Sequence, residues 1–407
     1  MPRMRLAALL ALPLVLAIPA SAQPGDVSAE DRLLHERMIV LDTHLDIPLR
    51  FERSDWDFGE RHLYGWDLSQ VDLPRMAEGG LDGGFFVIYT PQGALTAQAY
   101  AGARDAALVR AAAIHRVIGE NADRIGLAFT AEDAERLHRE GRRIAFISIE
   151  NSWPIGEDLT LLTSFHRLGV RMAGPVHSRT NQLADSATGE ARWNGLSPLG
   201  RQWLAEMNRL GMLVDASHAS DAAFDQMVER SAVPIVLSHS GPKAIFDHPR
   251  NLDDARMRRL ARAGGVMFVN SVYLVQHDNS DERDAINERH ENWARLTPEE
   301  RRRLLRDRAA LDARRAYTTA DFDLFMRSLL HAVAVMGADH VGLGADWDGG
   351  GVAGMEDIAA LPRITARLRR AGLSEADIAK IMGGNLLRVL RQAQRHAEGL
   401  SSAGRHG

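Results

Sequence analysis

Three features of the 407-residue sequence predict an α/β fold whose parallel strands close into a (β/α)8, or TIM, barrel. Short apolar runs of strand length recur along the chain. Segments with helical spacing lie between them, and ionisable side chains gather where the apolar runs end.

The runs are Met38–Leu41, Gly84–Tyr89, Ile144–Ile149, Arg171–Val176, Met212–Ala216, Pro234–Leu237, Gly265–Val269 and His340–Leu343, and eight such runs favour a barrel over an open sheet. Most are bounded by Gly, Pro, Asn or Asp, which punctuate strands. Ala101–Asn121, Leu196–Leu210, Ala219–Arg230, Leu252–Ala263, Thr319–Met336 and Met355–Arg370 carry apolar residues three and four apart and read as helices. Ser374 followed by Glu375 and Asp377 reads as an N-cap with acids in the first turn. Residues 276–315 break the rhythm: they are densely charged and lack a strand pattern. Thr297-Pro298-Glu299-Glu300 starts a helix there, so this stretch is expected to be an enlarged helical connection between the seventh and eighth strands.

The chain opens with Arg3 and Arg5, an apolar run from Leu6 to Ile18, and the small residues Ala20-Ser21-Ala22. That layout reads as a secretory signal peptide over residues 1–22, its apolar part too short to span a bilayer comfortably, with an uncleaved membrane anchor as the other reading. Residues 23–407 are then expected to form one barrel domain, exported to the periplasm or secreted, without a stable membrane anchor. There is no Cys, which excludes disulfides, thiolate ligands and a lipid-modified Cys. A composition of 45% apolar and 25% charged residues is ordinary for a globular protein. The formal charge of −5 gives no sign of a nucleic-acid partner. Lys243 and Lys380 are the only lysines, so the basic residues are almost all Arg.

The chemistry lies in where the ionisable residues fall. His44 and Asp46 follow the first strand in LDTHLDIP, Glu150 ends the third in AFISIEN, and His177 follows the fourth. His218 follows the fifth in MLVDASHAS, His239 the sixth in PIVLSHSGP, and Asp346 the eighth in HVGLGADWDGG. Parallel strands of a closed barrel bring these ends to one face, where such folds build their sites. Each residue alone is weak grounds for a ligand; their agreement across strand ends is strong. Imidazoles and carboxylates suit a divalent ion such as zinc. His44 and Asp46, two apart, point to one side and would grip one ion. His218 and His239 would grip a second, and Glu150 has two oxygens with which to bridge them. Two metals of this kind polarise a carbonyl and acidify a shared water. Of the other histidines, those at 35, 62, 115, 138, 248, 277, 290, 396 and 406 fall in helices or loops and are expected at the surface, while His340 begins the eighth strand at the opposite face and reads as structural.

These motifs, with QVDLPRMAEGGLDGGFF, VHSRTNQLADS, PRNLDD and GGNLLRV in the same order, resemble the membrane (renal) dipeptidase family of amidohydrolase-like metal barrels. The resemblance runs from about Met38 to Val389. It implies a zinc-dependent dipeptidase, with two zinc ions per chain on His44, Asp46, Glu150, His218 and His239, that hydrolyses small dipeptides through a metal-bridging water. It further implies that His177 binds the substrate carbonyl, that Arg250 holds its C-terminal carboxylate and that Asp346 carries protons. Read from the residues alone, Arg250 is one surface arginine among many, and Asp348 rivals Asp346, which is preferred because it comes first after the apolar strand. The resemblance also implies a homodimer as the assembly to test. Asn151-Ser152-Trp153 replaces the family's usual Gly-Gly after Glu150, and the segment after the seventh strand aligns poorly. Two other readings stay open on the same residues: a binuclear metal amidohydrolase acting on another small amide or lactam, and a non-catalytic periplasmic metal-binding protein.

Overall fold

The computed structural model describes residues 27–403, so the expected leader over residues 1–22 lies outside the described residues. Among them are nine strands: β1 (Leu41–Leu45), β2 (Gly83–Ile88), β3 (Ile125–Leu127), β4 (Arg143–Ile149), β5 (Val170–Ala173), β6 (Leu213–Val214), β7 (Val236–Ser240), β8 (Val266–Val269) and β9 (Val341–Leu343). All ladder pairs are parallel. One sheet runs β1-β2-β4-β5-β6, with β3 added along β4, and a second runs β7-β8-β9. Helices connect successive strands, giving an α/β fold with a curled parallel sheet. Beyond the named strands, Asp215 bridges to Val236 and Leu45 to Trp347, both in parallel.

The strands are apolar on both faces, as parallel strands covered on both sides must be. Phe85, Ile144, Phe146, Met172, Leu213, Val236 and Phe268 join Leu386, Leu387, Val389 and Leu390 of the C-terminal helix Asn385–Ala403. Their alternating neighbours Phe86, Ile88, Ala145, Ile147 and Ile149 pack instead with the other helices. Close approach of the strands depends on glycine. A Cβ on Gly344 would lie 1.9 Å from the Ser238 carbonyl oxygen, and one on Gly84 2.0 Å from that of Asp42.

Strand boundaries differ from the sequence expectation in a consistent way. β1 was expected to end at Leu41 and β7 at Leu237, yet Asp42-Thr43-His44 and Ser238-His239-Ser240 lie inside the strands. Polar residues were read as strand ends, but here distant partners satisfy them. Asp42 accepts the backbone N–H groups of His44 and Ala345, each at 2.9 Å, and Thr43 donates to the Ser238 carbonyl. His44 and His239 are therefore strand residues, and Asp46 sits just past β1. β3 was not anticipated: three residues around Gly126 are too short to register as a run.

Several helix signals read as expected. Ser374 caps the helix Glu375–Ala379, and Thr297 with Glu300 forms a capping box at the start of Pro298–Arg314. The 276–315 segment lies between β8 and β9. It holds that helix and another, Asp281–Glu291, around an apolar cluster of its own: Ile286, Trp293, Leu304 and Leu311. Among the described residues no helix is long and apolar enough to cross a membrane.

His35 is not at the surface. It is 1% exposed, 2.7 Å from the Thr365 hydroxyl and 2.9 Å from the Gly79 carbonyl oxygen, and so ties two helical segments together. His340 does serve structure, with Nδ1 2.8 Å from the Gly265 carbonyl oxygen.

Candidate metal centre

Because the strands are parallel, their C-terminal ends share one edge, and the ionisable residues meet there. Glu150, just past β4, is the hub. Its Oε1 lies 3.1 Å from His218 Nε2, 3.3 Å from His177 Nε2, 3.6 Å from His239 Nε2 and 3.8 Å from His44 Nε2. His44 Nε2 is also 3.6 Å from Asp46 Oδ2 and 4.0 Å from Asp346 Oδ1. Three groups have candidate ligand atoms within 4.8 Å of one another: His44, Glu150 and His239; Glu150, His177 and His218; His44, Asp46 and Asp346. All the residues expected at the site from the sequence are thus gathered in one place except Arg250, which stands beside it.

Backbone geometry holds them. Trp347 N–H donates to the His44 carbonyl, and Asp46 N–H to that of Trp347, which sets Asp346 next to His44. His218 and Asp346 have left-handed φ values of 66° and 67°, a conformation non-glycine residues seldom adopt outside tightly determined sites. Gly349 lets that turn close over the carboxylates: a Cβ there would lie 2.4 Å from Asp346 Oδ1 and 3.0 Å from Asp46 Oδ2.

The electrostatics separate the imidazoles. Burial, aided by Arg250 and neighbouring imidazoles, pushes His218 and His239 well below the ordinary histidine range, so both are neutral. His177, more open, is pushed down to about 4 by burial and Arg250. His44 goes the other way: burial pulls it down, but Asp46, Glu150 and Asp346 outweigh that and raise it to about 10. Burial drives the Glu150 and Asp346 carboxyls upward against the pull of His44.

These residues fit a bound cation. His218 and His239 point their Nε2 atoms at each other across 2.8 Å. His44 Nε2 and Asp46 Oδ1 are buried with no hydrogen-bond partner. Buried polar atoms are nearly always satisfied, and the neutral imidazoles of His218 and His239 converging with carboxylates are what a divalent ion requires, with His44 giving up its proton as the ion binds.

Arg250, 4% exposed, is no surface arginine. Its Nη2 donates to the His239 carbonyl at 3.1 Å and its Nη1 to Ser240 Oγ at 3.3 Å, its guanidinium lies 4.9 Å from the Tyr273 ring centroid, and its Nε is buried and unpaired. Asp348 is taken up elsewhere: Arg50 Nε donates to it at 3.0 Å, and Gln70 N–H also points at its carboxylate. Asn151 and Ser152 spend their side chains on the carbonyls of Thr90 and Gly174, so the departure after Glu150 braces neighbouring strand ends.

The sequence reading missed Asp42, Asp215 and Ser238. A signal was available: DTH and DASH each set an Asp two or three residues before a candidate ligand histidine.

A family model of the membrane dipeptidases, peptidase family M19, matches residues 28–404. The chain belongs to this family. Membrane dipeptidases are metallo-dipeptidases, so the chain is a hydrolase and its strand-end cluster is the candidate site for the metal ions the family implies. Among curated relatives, a dipeptidase of Claviceps purpurea is 31% identical over 350 residues, covering 84% of this chain and 73% of that protein. Among solved structures, the probable dipeptidase PvdM of Pseudomonas aeruginosa superposes with a TM-score of 0.77 at 30% identity, covering 90% of this chain and 98% of the other. A metallopeptidase of Rhodobacter sphaeroides, solved with a phosphinate mimic of the dipeptide L-Ala-D-Ala, gives a TM-score of 0.70 at 25% identity over 88% and 99% of the two chains.

Proposed function

We propose that this chain hydrolyses the peptide bond of small dipeptides with two zinc ions, one on His44 and Asp46, the other on His218 and His239, with Glu150 bridging. The observation that carries this reading is Glu150 Oε1, within 3.8 Å of four imidazole nitrogens in a chain of the dipeptidase family. Zinc at such a site supplies Lewis acidity to the scissile carbonyl and a water acidified towards neutrality. The chain's own groups do the rest. Neutral His177 donates a hydrogen bond to the substrate carbonyl oxygen as negative charge develops there. Asp346 takes a proton from the attacking water and passes it to the leaving amine nitrogen. The purified protein is expected to hold close to two zinc ions per chain. Chelation should abolish dipeptide hydrolysis and zinc should restore it; full activity after exhaustive metal removal contradicts the reading.

Arg250 is the proposed clamp for the substrate's C-terminal carboxylate, with its buried, unpaired Nε as the spare donor. Arg250→Ala should retain zinc and raise KM for free dipeptides on the order of tenfold or more, since a charge-assisted hydrogen bond is worth about 1.5–3 kcal/mol. C-terminally amidated analogues should be little affected. Equal losses on both would favour an amide hydrolase of broader substrate range.

We also propose that the bridges Asp215–Val236 and Leu45–Trp347 close the two sheets into one (β/α)8 barrel, with β3 outside the ring and 276–315 as an enlarged connection. Residues 23–407 would be that single domain. Export would remove residues 1–22, and N-terminal sequencing of exported protein should begin at Gln23; an intact Met1 in the membrane fraction would favour an anchor.

A further inference from the structure

The two imidazoles assigned to one zinc are not held alike. His218 Nδ1 is buried without a partner. His239 Nδ1 lies 2.8 Å from Ser238 Oγ, and Ser238 Oγ lies 2.5 Å from Asp215 Oδ2. The other oxygen of Asp215 accepts the backbone N–H groups of Ser217 and Ser238, each at 2.9 Å. Asp215, Ser238 and His239 are each 2% exposed or less, so water does not compete for these bonds.

The direction of the chain follows from donor counting. A carboxylate only accepts, and a hydroxyl has a single proton. At 2.5 Å from Asp215, the Ser238 hydroxyl gives that proton to the carboxylate. Its oxygen is then an acceptor, and the atom facing it, His239 Nδ1, carries the hydrogen. The remaining ring nitrogen, Nε2, is left bare, and Nε2 is the atom 3.6 Å from Glu150 and 2.8 Å from His218 Nε2.

We propose that Asp215 and Ser238 are positioning residues that fix His239 as the Nδ1–H tautomer and make it the anchoring ligand of its zinc, with His218 the adjustable partner. This rests on the reading that these two imidazoles share an ion. Partners of this kind, one shell out from a metal, hold the ring's orientation and are typically worth about 10–100-fold in metal affinity.

Two measurements test it. The first is the ¹⁵N spectrum of the histidines in the metal-free protein, where His239 should be the Nδ1–H tautomer; an Nε2–H tautomer overturns the inference. The second is zinc affinity by chelator competition in wild type, Ser238→Ala, Ser238→Thr and Asp215→Asn. Ser238→Ala should loosen one of the two zinc equivalents about 10–100-fold and leave the other unchanged. Ser238→Thr, which keeps the hydroxyl, should restore it. Asp215→Asn should do at least as much harm as Ser238→Ala, because the amide N–H would donate to Ser238 and turn the hydroxyl proton towards Nδ1. Wild-type affinities in Ser238→Ala, or equal loosening of both equivalents, would overturn the inference. Should wild-type protein take up no zinc, the proposed function falls, and the His239 tautomer still decides for or against the relay.

Discussion

Asp346→Asn should lower dipeptide turnover by about a hundredfold to ten-thousandfold, the usual loss when general acid–base help is removed, while zinc content stays near wild type. The expectation comes from where Asp346 stands. It follows β9 on a left-handed backbone with Oδ1 4.0 Å from His44 Nε2, and burial, with Asp46 beside it, drives its carboxyl upward towards the range useful for moving protons at neutral pH. Asparagine fills the same volume and keeps an acceptor but cannot take up a proton. His239→Ala is the contrast: it removes an imidazole of the proposed zinc site and should lose zinc together with activity. Asp346 also shares a candidate ligand group with His44 and Asp46, so zinc content is the deciding number. Loss of one equivalent in Asp346→Asn would make Asp346 a ligand. Asp348→Asn should act on stability instead, because its carboxylate answers the nearly buried Arg50 and the Gln70 N–H.

The candidate site was legible in the sequence because parallel strands turn position along the chain into position in space. Histidines and carboxylates at strand ends more than a hundred residues apart need only a common strand direction to meet, and apolar runs reveal strand ends roughly. What the runs could not reveal is which polar residues remain inside a strand. Asp42, Thr43, Ser238 and His239 look like terminators to any pattern based on apolarity; they stay in the strands because their partners, at Ala345, Ser238 and Asp215, come from remote segments. The same blindness put His35 at the surface and left Arg250 without a role beyond the family resemblance. Burial of a polar side chain is decided by whether a partner awaits it, and that partner is set by the tertiary fold. The choice between Asp346 and Asp348 shows the point at its narrowest. The two are separated by one residue; order after the strand favours Asp346, and the geometry of Arg50 and Gln70 supplies the physical reason, by engaging Asp348 in structure and leaving Asp346 to face the imidazoles.

Glu150→Gln should abolish activity and loosen zinc, yet leave the metal-free protein more stable than metal-free wild type. Glu150 is the carboxylate within reach of all four imidazoles, so an amide in its place takes the shared negative charge out of both proposed ion sites. Without metal, that charge is a burden on the fold. Burial raises the pKa of Glu150 from an ordinary 4.5 to about 8 even though His44 pulls it down. A carboxyl whose folded-state value is raised binds its proton more tightly in the folded chain than in the unfolded one, so stability is lost as pH rises above the ordinary value. Glutamine carries no such penalty. The Tm advantage of metal-free Glu150→Gln should therefore vanish near pH 4, grow through neutrality and level off once the wild-type carboxyl is ionised. Zinc should invert the order, because a ligand bound only by the folded state stabilises it by about 2.7 kcal/mol at a hundred times its Kd, and the variant has lost most of that affinity. Thermal unfolding of both proteins with and without zinc, from pH 4 to 10, gives the result. A variant that melts below wild type in the metal-free state at pH 8 would mean that Glu150 holds the fold together as well as the metal. A variant that keeps both zinc ions at wild-type affinity would remove Glu150 from the centre of the site.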